Sequence, residues 1–215
     1  MGAVSRNQEK CLFRVGDAPL IAPILAAVGR QFPDERQLVL VRPGTIRRYR
    51  AALPDDERRS YVEASGHGSW SSVVDHVDPD GSPLAVIHGN VWGAEAVVAQ
   101  LAAVAREHNR AIVTCVDNGT FSSHATIHSD EDGAITHIDF RLEDVGTARR
   151  IAHAGGFLLE PEDHGRYSGF DVTHAAASGI AAGDRYLATL CSDSLVHVGN
   201  VATLQRARVA AGGSS

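Results

Sequence analysis

Cysteine is scarce in this chain. The three that occur, Cys11, Cys115 and Cys191, are odd in number and far apart. That excludes a disulfide framework and any Cys-x-x-Cys metal knuckle. It fits a reducing compartment, so a cytoplasmic location is expected. Cys115 falls inside the apolar run Ala111–Val116 and reads as a small buried hydrophobe. No apolar run is long enough to cross a bilayer, and the first residues lack the apolar core of a signal peptide. No membrane partner is expected.

An excess of positive charge is also missing. The formal net charge is −6 and the pI about 6.0. A broad nucleic-acid-binding face needs basic side chains to neutralise phosphates, so no nucleic-acid partner is expected. The densest basic group, Arg42, Arg47, Arg48 and Arg50, is followed by Asp55, Asp56 and Glu57, and reads as a solvated mixed-charge helical face. Several signatures are absent as well: the phosphate-binding P-loop, the dinucleotide GxGxxG, the nucleophile elbow GxSxG, the zinc helix HExxH and the deaminase PCxxC.

What is present is enough for a core. Apolar residues make up 44% and charged residues 21% of 215 positions, which suits a single folded unit and not a disordered chain. One α/β domain is expected over 1–211, with 212–215 as a flexible tail.

One local pattern recurs: an apolar strand, a glycine turn, a capping residue, an amphipathic helix. It runs through Cys11–Val15 and Ala18–Val28, then Leu38–Val41 and Ile46–Leu53. It returns at Leu84–His88 and Val91–Glu107, and at Leu195–Val198 and Val201–Ala211. Glycine tolerates the turn and Asp, Thr or Asn caps the exposed N–H groups of the first helical turn. Val97, Val98, Leu101, Val104 and Ala105 recur at helical spacing. Leu84–Asp117 therefore reads as strand, helix, strand, with both strands apolar throughout, as in sheets covered on both faces. The expected architecture is α/β: a mostly parallel central sheet flanked by helices.

An antiparallel hairpin is expected around 123–141. Ser123–Ser129 and Ala134–Arg141 alternate in polarity about the turn Asp130-Glu131-Asp132-Gly133. Simple pairing sets His128 against Ile135, Thr126 against His137 and His124 against Asp139. A helix is expected from Glu143 to about His153, stopped by Gly155-Gly156. Val172–Ala182 reads as a small-residue helix and Tyr186–Cys191 as a strand.

Eleven histidines offer the chemistry. Ligands of open α/β sheets bind at the carboxyl ends of strands. His88-Gly89-Asn90 and Asp117-Asn118-Gly119 end two strands that are expected to be neighbours. His88 would transfer protons, and Asp117 would orient an imidazole or hold a metal. The polar hairpin face would add His124, His137 and Asp139 across the same cleft. Asn90, Asn118 and Thr126 would bind polar groups of the substrate. A divalent metal among these groups is left open. A third set, His174, Cys191, Asp193 and His197, has the residue types of a thiol nucleophile but nothing in the sequence that joins them. The expectation is a small-molecule enzyme, a hydrolase or lyase, with a homo-oligomer left open. The alternative is a non-catalytic ligand-sensing or partner-binding module that pairs through the hairpin.

Overall fold

The computed structural model describes residues 9–64, 69–74, 83–140, 150–160, 162–163 and 171–212. In chain order its strands are β1 (Arg14–Val15), β2 (Ala18–Pro19), β3 (Gln37–Val41), β4 (Arg59–Glu63), β5 (Leu84–Ile87), β6 (Val91–Trp92), β7 (Ala111–Val116), β8 (Thr126–Ser129), β9 (Ile135–Asp139), β10 (Ile151–Leu159), β11 (Leu187–Leu190) and β12 (Val196–His197). Its helices are α1 (Ile21–Gln31), α2 (Ile46–Ala52), α3 (Ser69–Val74), α4 (Ala94–Val104), α5 (Val172–Ala181) and α6 (Val201–Ala210).

The central sheet has the order β11-β7-β10-β8-β9, with β5 also lying along β10. β5, β7 and β8 each pair antiparallel with β10, and β11 pairs parallel with β7. β5, β7, β8 and β11 therefore run one way. Four of the six strands thus point the same way and helices flank the sheet, as the sequence indicates, while β9 runs with β10 and, within this sheet, only β11 and β7 pair in parallel. β10 runs the other way through its middle. It separates β5 from β7, so the strands ending at His88 and Asp117 are not neighbours. The apolar side chains on one face meet α1 and α4, through Ile24, Val97, Leu101, Val113 and Leu158. On the other face Phe157, Leu159 and Tyr186 pack with Trp70 of α3 and Val172 and Ala176 of α5.

β10 corrects the helix expected up to His153. The residues from Ile151 onward form a strand buried along almost its whole length, and 143–149 lie outside the described residues. The two glycines sit inside the strand and do not stop a helix. A Cβ on Gly156 would lie 2.4 Å from Val97 Cγ1 and 3.2 Å from Leu101 Cδ1. The bare backbone is what lets α4 rest on the sheet. Gly156→Ala is expected to cost about 2 kcal/mol by overpacking, which in a chain this size lowers the melting temperature by roughly 4–8 °C. A calorimetric scan that leaves the midpoint in place would show that α4 yields freely.

The hairpin is smaller than expected, and its register differs. Ser123–Ala125 belongs to the turn before β8, not to a strand. His128 faces His137 and Thr126 faces Asp139, with an irregularity between His128 and Ser129. The extra residue on the β9 side, Thr136, shifts every pairing beyond it by one. His128 and His137 stack with centroids 4.0 Å apart on the exposed face, while Ile127 and Ile135 are buried.

A second sheet is made by the parallel pair β3 and β4, and short β6 and β12 pair antiparallel. Among the described residues β3 pairs only with β4 and β5 only with β10, so each keeps one open backbone edge. No helix of the described residues is long and apolar enough to cross a membrane.

Candidate ligand-binding site

β3 and β5 both line a cavity of about 570 Å³, within the range of small-molecule sites. Its walls are largely apolar: Ile21, Ile24 and Leu25 of α1, Leu38 and Leu40 of β3, Trp70, and Leu84 and Val86 of β5. Two polar sets interrupt them.

The first set stands where β5 ends. His88, Asn90, His124 and His197 all line the cavity. Their meeting is made by tertiary contacts. β12 pairs with β6, setting His197 against Val91. The turn Ser122–His124 brings His124 beneath the sheet, where its Nδ1 lies 3.0 Å from the carbonyl oxygen of His153. That acceptor fixes Nδ1 as the protonated nitrogen and leaves Nε2 with a lone pair. His197 Nδ1 donates to the Thr120 carbonyl at 3.3 Å, and its Nε2 accepts from Asn90 Nδ2 at 2.9 Å. The His88 imidazole has no hydrogen bond among the described residues, although its backbone N–H donates to the Gly155 carbonyl at 2.8 Å. The ring centroids of His88 and His124 are 6.0 Å apart, and those of His124 and His197 4.3 Å. His153 stacks behind His124 at 4.2 Å.

These rings are held neutral at pH 7. Burial, and then the imidazole of His124, lowers His88 to about 4. Burial, and then His124 again, lowers His197 to about 4 against the pull of the Thr120 carbonyl. Burial lowers His124 and holds His153 well below the ordinary histidine range. Desolvation disfavours the charged form, and each ring opposes a charge on its neighbour.

The second set is Arg36 and Gln37 at the start of β3. Gln37 is buried. Its Oε1 accepts from Arg59 Nε at 3.1 Å, while its Nε2 has no partner. That nitrogen is enclosed in the packing beside Gly29 of α1 and does not open onto the cavity.

The sequence-designated residues thus divide. His88, Asn90 and His124 come together. Asp117 does not join them: its carboxylate accepts the N–H groups of Gly119 and Phe121 and faces Arg150 at 3.3 Å. Asn118 ties its loop to the Leu195 carbonyl at 2.8 Å. Thr126 accepts from Arg150 Nε at 2.7 Å. His137 and Asp139 lie on β9, outside the cavity lining. Asn90 does not cap α4, since Gly93 occupies the cap position; its amide is turned to His197 instead. His197, from the thiol set, belongs to the imidazole group. Cys191 is buried and its thiol pushed up by burial. His174 pairs with Asp171 and stacks on Phe140. His153 and Gln37 had no designation, and nothing in their local sequence marks them.

No family model matches the chain, and no curated protein matches it in sequence. Solved structures do match. One assigned as a glucose-1-phosphate thymidylyltransferase from Bacillus anthracis superposes with a TM-score of 0.74 at 12% identity, over 100% of this chain and 91% of that one. A UDP-glucose pyrophosphorylase from Acinetobacter baumannii gives 0.73 at 14% identity, over 98% and 88%. The inositol-1-phosphate CTP transferase from T. maritima gives 0.69 at 11% identity, over 99% and 91%.

At this identity the likeness shows a shared fold.

This corrects the expectation of a hydrolase or lyase, because the solved structures named above, matched along nearly the whole chain, carry transferase or pyrophosphorylase names. Nor does it favour the non-catalytic module. The sequence-level error has a plain cause: histidine and aspartate at strand ends suit many reaction classes, and only the fold narrows them.

Transfer between phosphates is ordinarily assisted by a hard divalent cation on carboxylate oxygens. The donor set here does not fit one. Among the described residues no carboxylate lines the cavity, and no group of three or more His, Cys, Asp or Glu is arranged to hold an ion.

Proposed function

We propose that this chain is a nucleotidyltransferase-type enzyme whose cavity takes a nucleotide and the phosphate of a sugar or polyol. The observation that carries the reading is the whole-chain likeness of fold. A cavity of the right size, with its polar groups where β5 ends, agrees with it.

In this reading the apolar walls hold the base and sugar. The imidazoles and the Asn90 amide face the phosphates. The reaction has simple bookkeeping. A phosphate oxygen of the sugar phosphate attacks the α-phosphorus of the nucleoside triphosphate, the bond to the β-phosphate oxygen breaks, and pyrophosphate leaves. No proton has to move, so the residues act by orientation and by stabilising charge. No step is assigned to a metal.

The test is pyrophosphate release from the four ribonucleoside triphosphates and dTTP, each with and without glucose 1-phosphate or inositol 1-phosphate. Release that needs both substrates is expected for at least one pair, and His88→Ala is expected to reduce it at least tenfold. No release from any pair would sink the reading.

A further inference from the structure

We propose that the imidazoles of His88, His124 and His197, with the Asn90 amide, form a phosphate-binding site that takes up a proton as a phosphoryl anion enters. The inference rests on the nucleotide reading above and deepens it. It concerns how the site supplies the positive charge that a phosphate requires.

The geometry sets the problem. Three rings converge on the end of the cavity beside β5, with centroids 4.3 and 6.0 Å apart. Each offers the cavity an atom that changes role with protonation. His88 has neither nitrogen engaged among the described residues. His124 keeps an Nε2 lone pair because Nδ1 is committed to the His153 carbonyl. His197 Nε2 holds only the Asn90 amide. A lone pair repels a phosphate oxygen, whereas an N–H donates to it. No carboxylate among the described lining residues competes for the anion.

The surroundings decide which state is occupied. His88 is faced by His124, by His153 behind it and, at longer range, by Asp171. Asp171 is occupied in capping α5, accepting from Thr173 and His174. His124 feels Arg150 and Asp117 as well as Asp171, and the first two already pair with each other. His197 is faced by His124 and His88, and the charge of Lys10 acts in the same direction. The ligand-free cluster has too little negative charge nearby to hold a proton. A bound phosphoryl anion supplies it, and the first imidazole to charge becomes a donor against the anion. One proton is expected, because a second charge would sit against the first.

The test uses isothermal titration of the wild-type protein with UDP-glucose. Each of its two phosphoryl groups is closed by one ester and the shared anhydride bond, so each carries a fixed single negative charge through the range studied. Titrations run at pH 6.5 and 7.5 in two buffers of different ionisation enthalpy, with and without EDTA. The expected result is a buffer-dependent heat equal to uptake of about one proton and a Kd roughly tenfold lower at pH 6.5, unchanged by EDTA. Uridine, which lacks the anion, is expected to show no proton uptake. His88→Asn is expected to reduce the uptake; its fold is checked by melting. Binding with buffer-independent heat, or binding abolished by EDTA, would overturn this inference and leave the nucleotide reading standing. No binding of UDP-glucose at either pH would overturn both.

Discussion

As the pH falls from 6.5 to 5, a range in which most carboxylates stay ionised, the ligand-free protein is expected to lose several kcal/mol of stability. His88 is held at about 4 in the fold, against 6.5 in an open chain. Above pH 6.5 it is neutral in both states and contributes no pH dependence. Below 6.5 the unfolded chain takes up a proton that the folded one refuses, so stability falls, and the loss is complete near pH 4. For His88 alone this amounts to about 3 kcal/mol. His197, held at about 4 by the same causes, adds a comparable amount. His124 and His153, also lowered by burial, add in the same direction, and because the four rings form one cluster their contributions are not simply additive. Urea unfolding at pH 7.5, 6.0 and 5.0 measures the total, and the slope is expected to exceed one proton. Stability that stays flat from pH 7.5 to 5 would show that these rings are not buried neutral.

Asp163→Ala is expected to be as damaging, at about 3–5 kcal/mol. The carboxylate is fully buried. It accepts from Arg110 Nε at 2.9 Å and Nη2 at 3.2 Å, from the Tyr186 hydroxyl at 3.0 Å, and from the Glu160 N–H at 3.0 Å. This holds the guanidinium of Arg110 well above its ordinary range, first through the hydrogen bond to Asp163. Removing the acid leaves a partly buried cation and a buried phenol without their acceptor. Tyr186 is also part of the core against Phe157 and Trp70, so the damage reaches the sheet. The expected fall in melting temperature is about 6–20 °C. Asp163→Asn keeps an acceptor oxygen and should recover part of the loss. A melting temperature within 2 °C of the wild type for Asp163→Ala would show that the ion pair contributes nothing net.

Both effects come from residues whose neighbours are distant in sequence, and the legibility of the fold follows the same line. Leu84–His88 and Ala111–Val116 are apolar runs that only buried strands need, and they formed strands. Val97, Val98 and Leu101 mark one face of α4 by spacing alone. Asp171 and Asn200 cap α5 and α6 through bonds to residues two or three positions on. β10 was illegible for the opposite reason. Its small residues and paired glycines are locally those of a helix end, whereas in the fold Gly156 admits Val97 and Gly155 admits His88 from other elements.

The sequence by itself determined the α/β class, most helices, the strand-end position of His88 and Asn90, and the absence of any bilayer-crossing apolar run. These depend on periodicity, turn residues and caps, which act over a few positions. Tertiary structure decided the direction of β10, the hairpin register and the membership of the site. His124 meets His153 across 29 positions and Asn90 meets His197 across 107. Such contacts are set by which strands pair and where the chain packs, and side-chain chemistry at a single position carries no record of that choice.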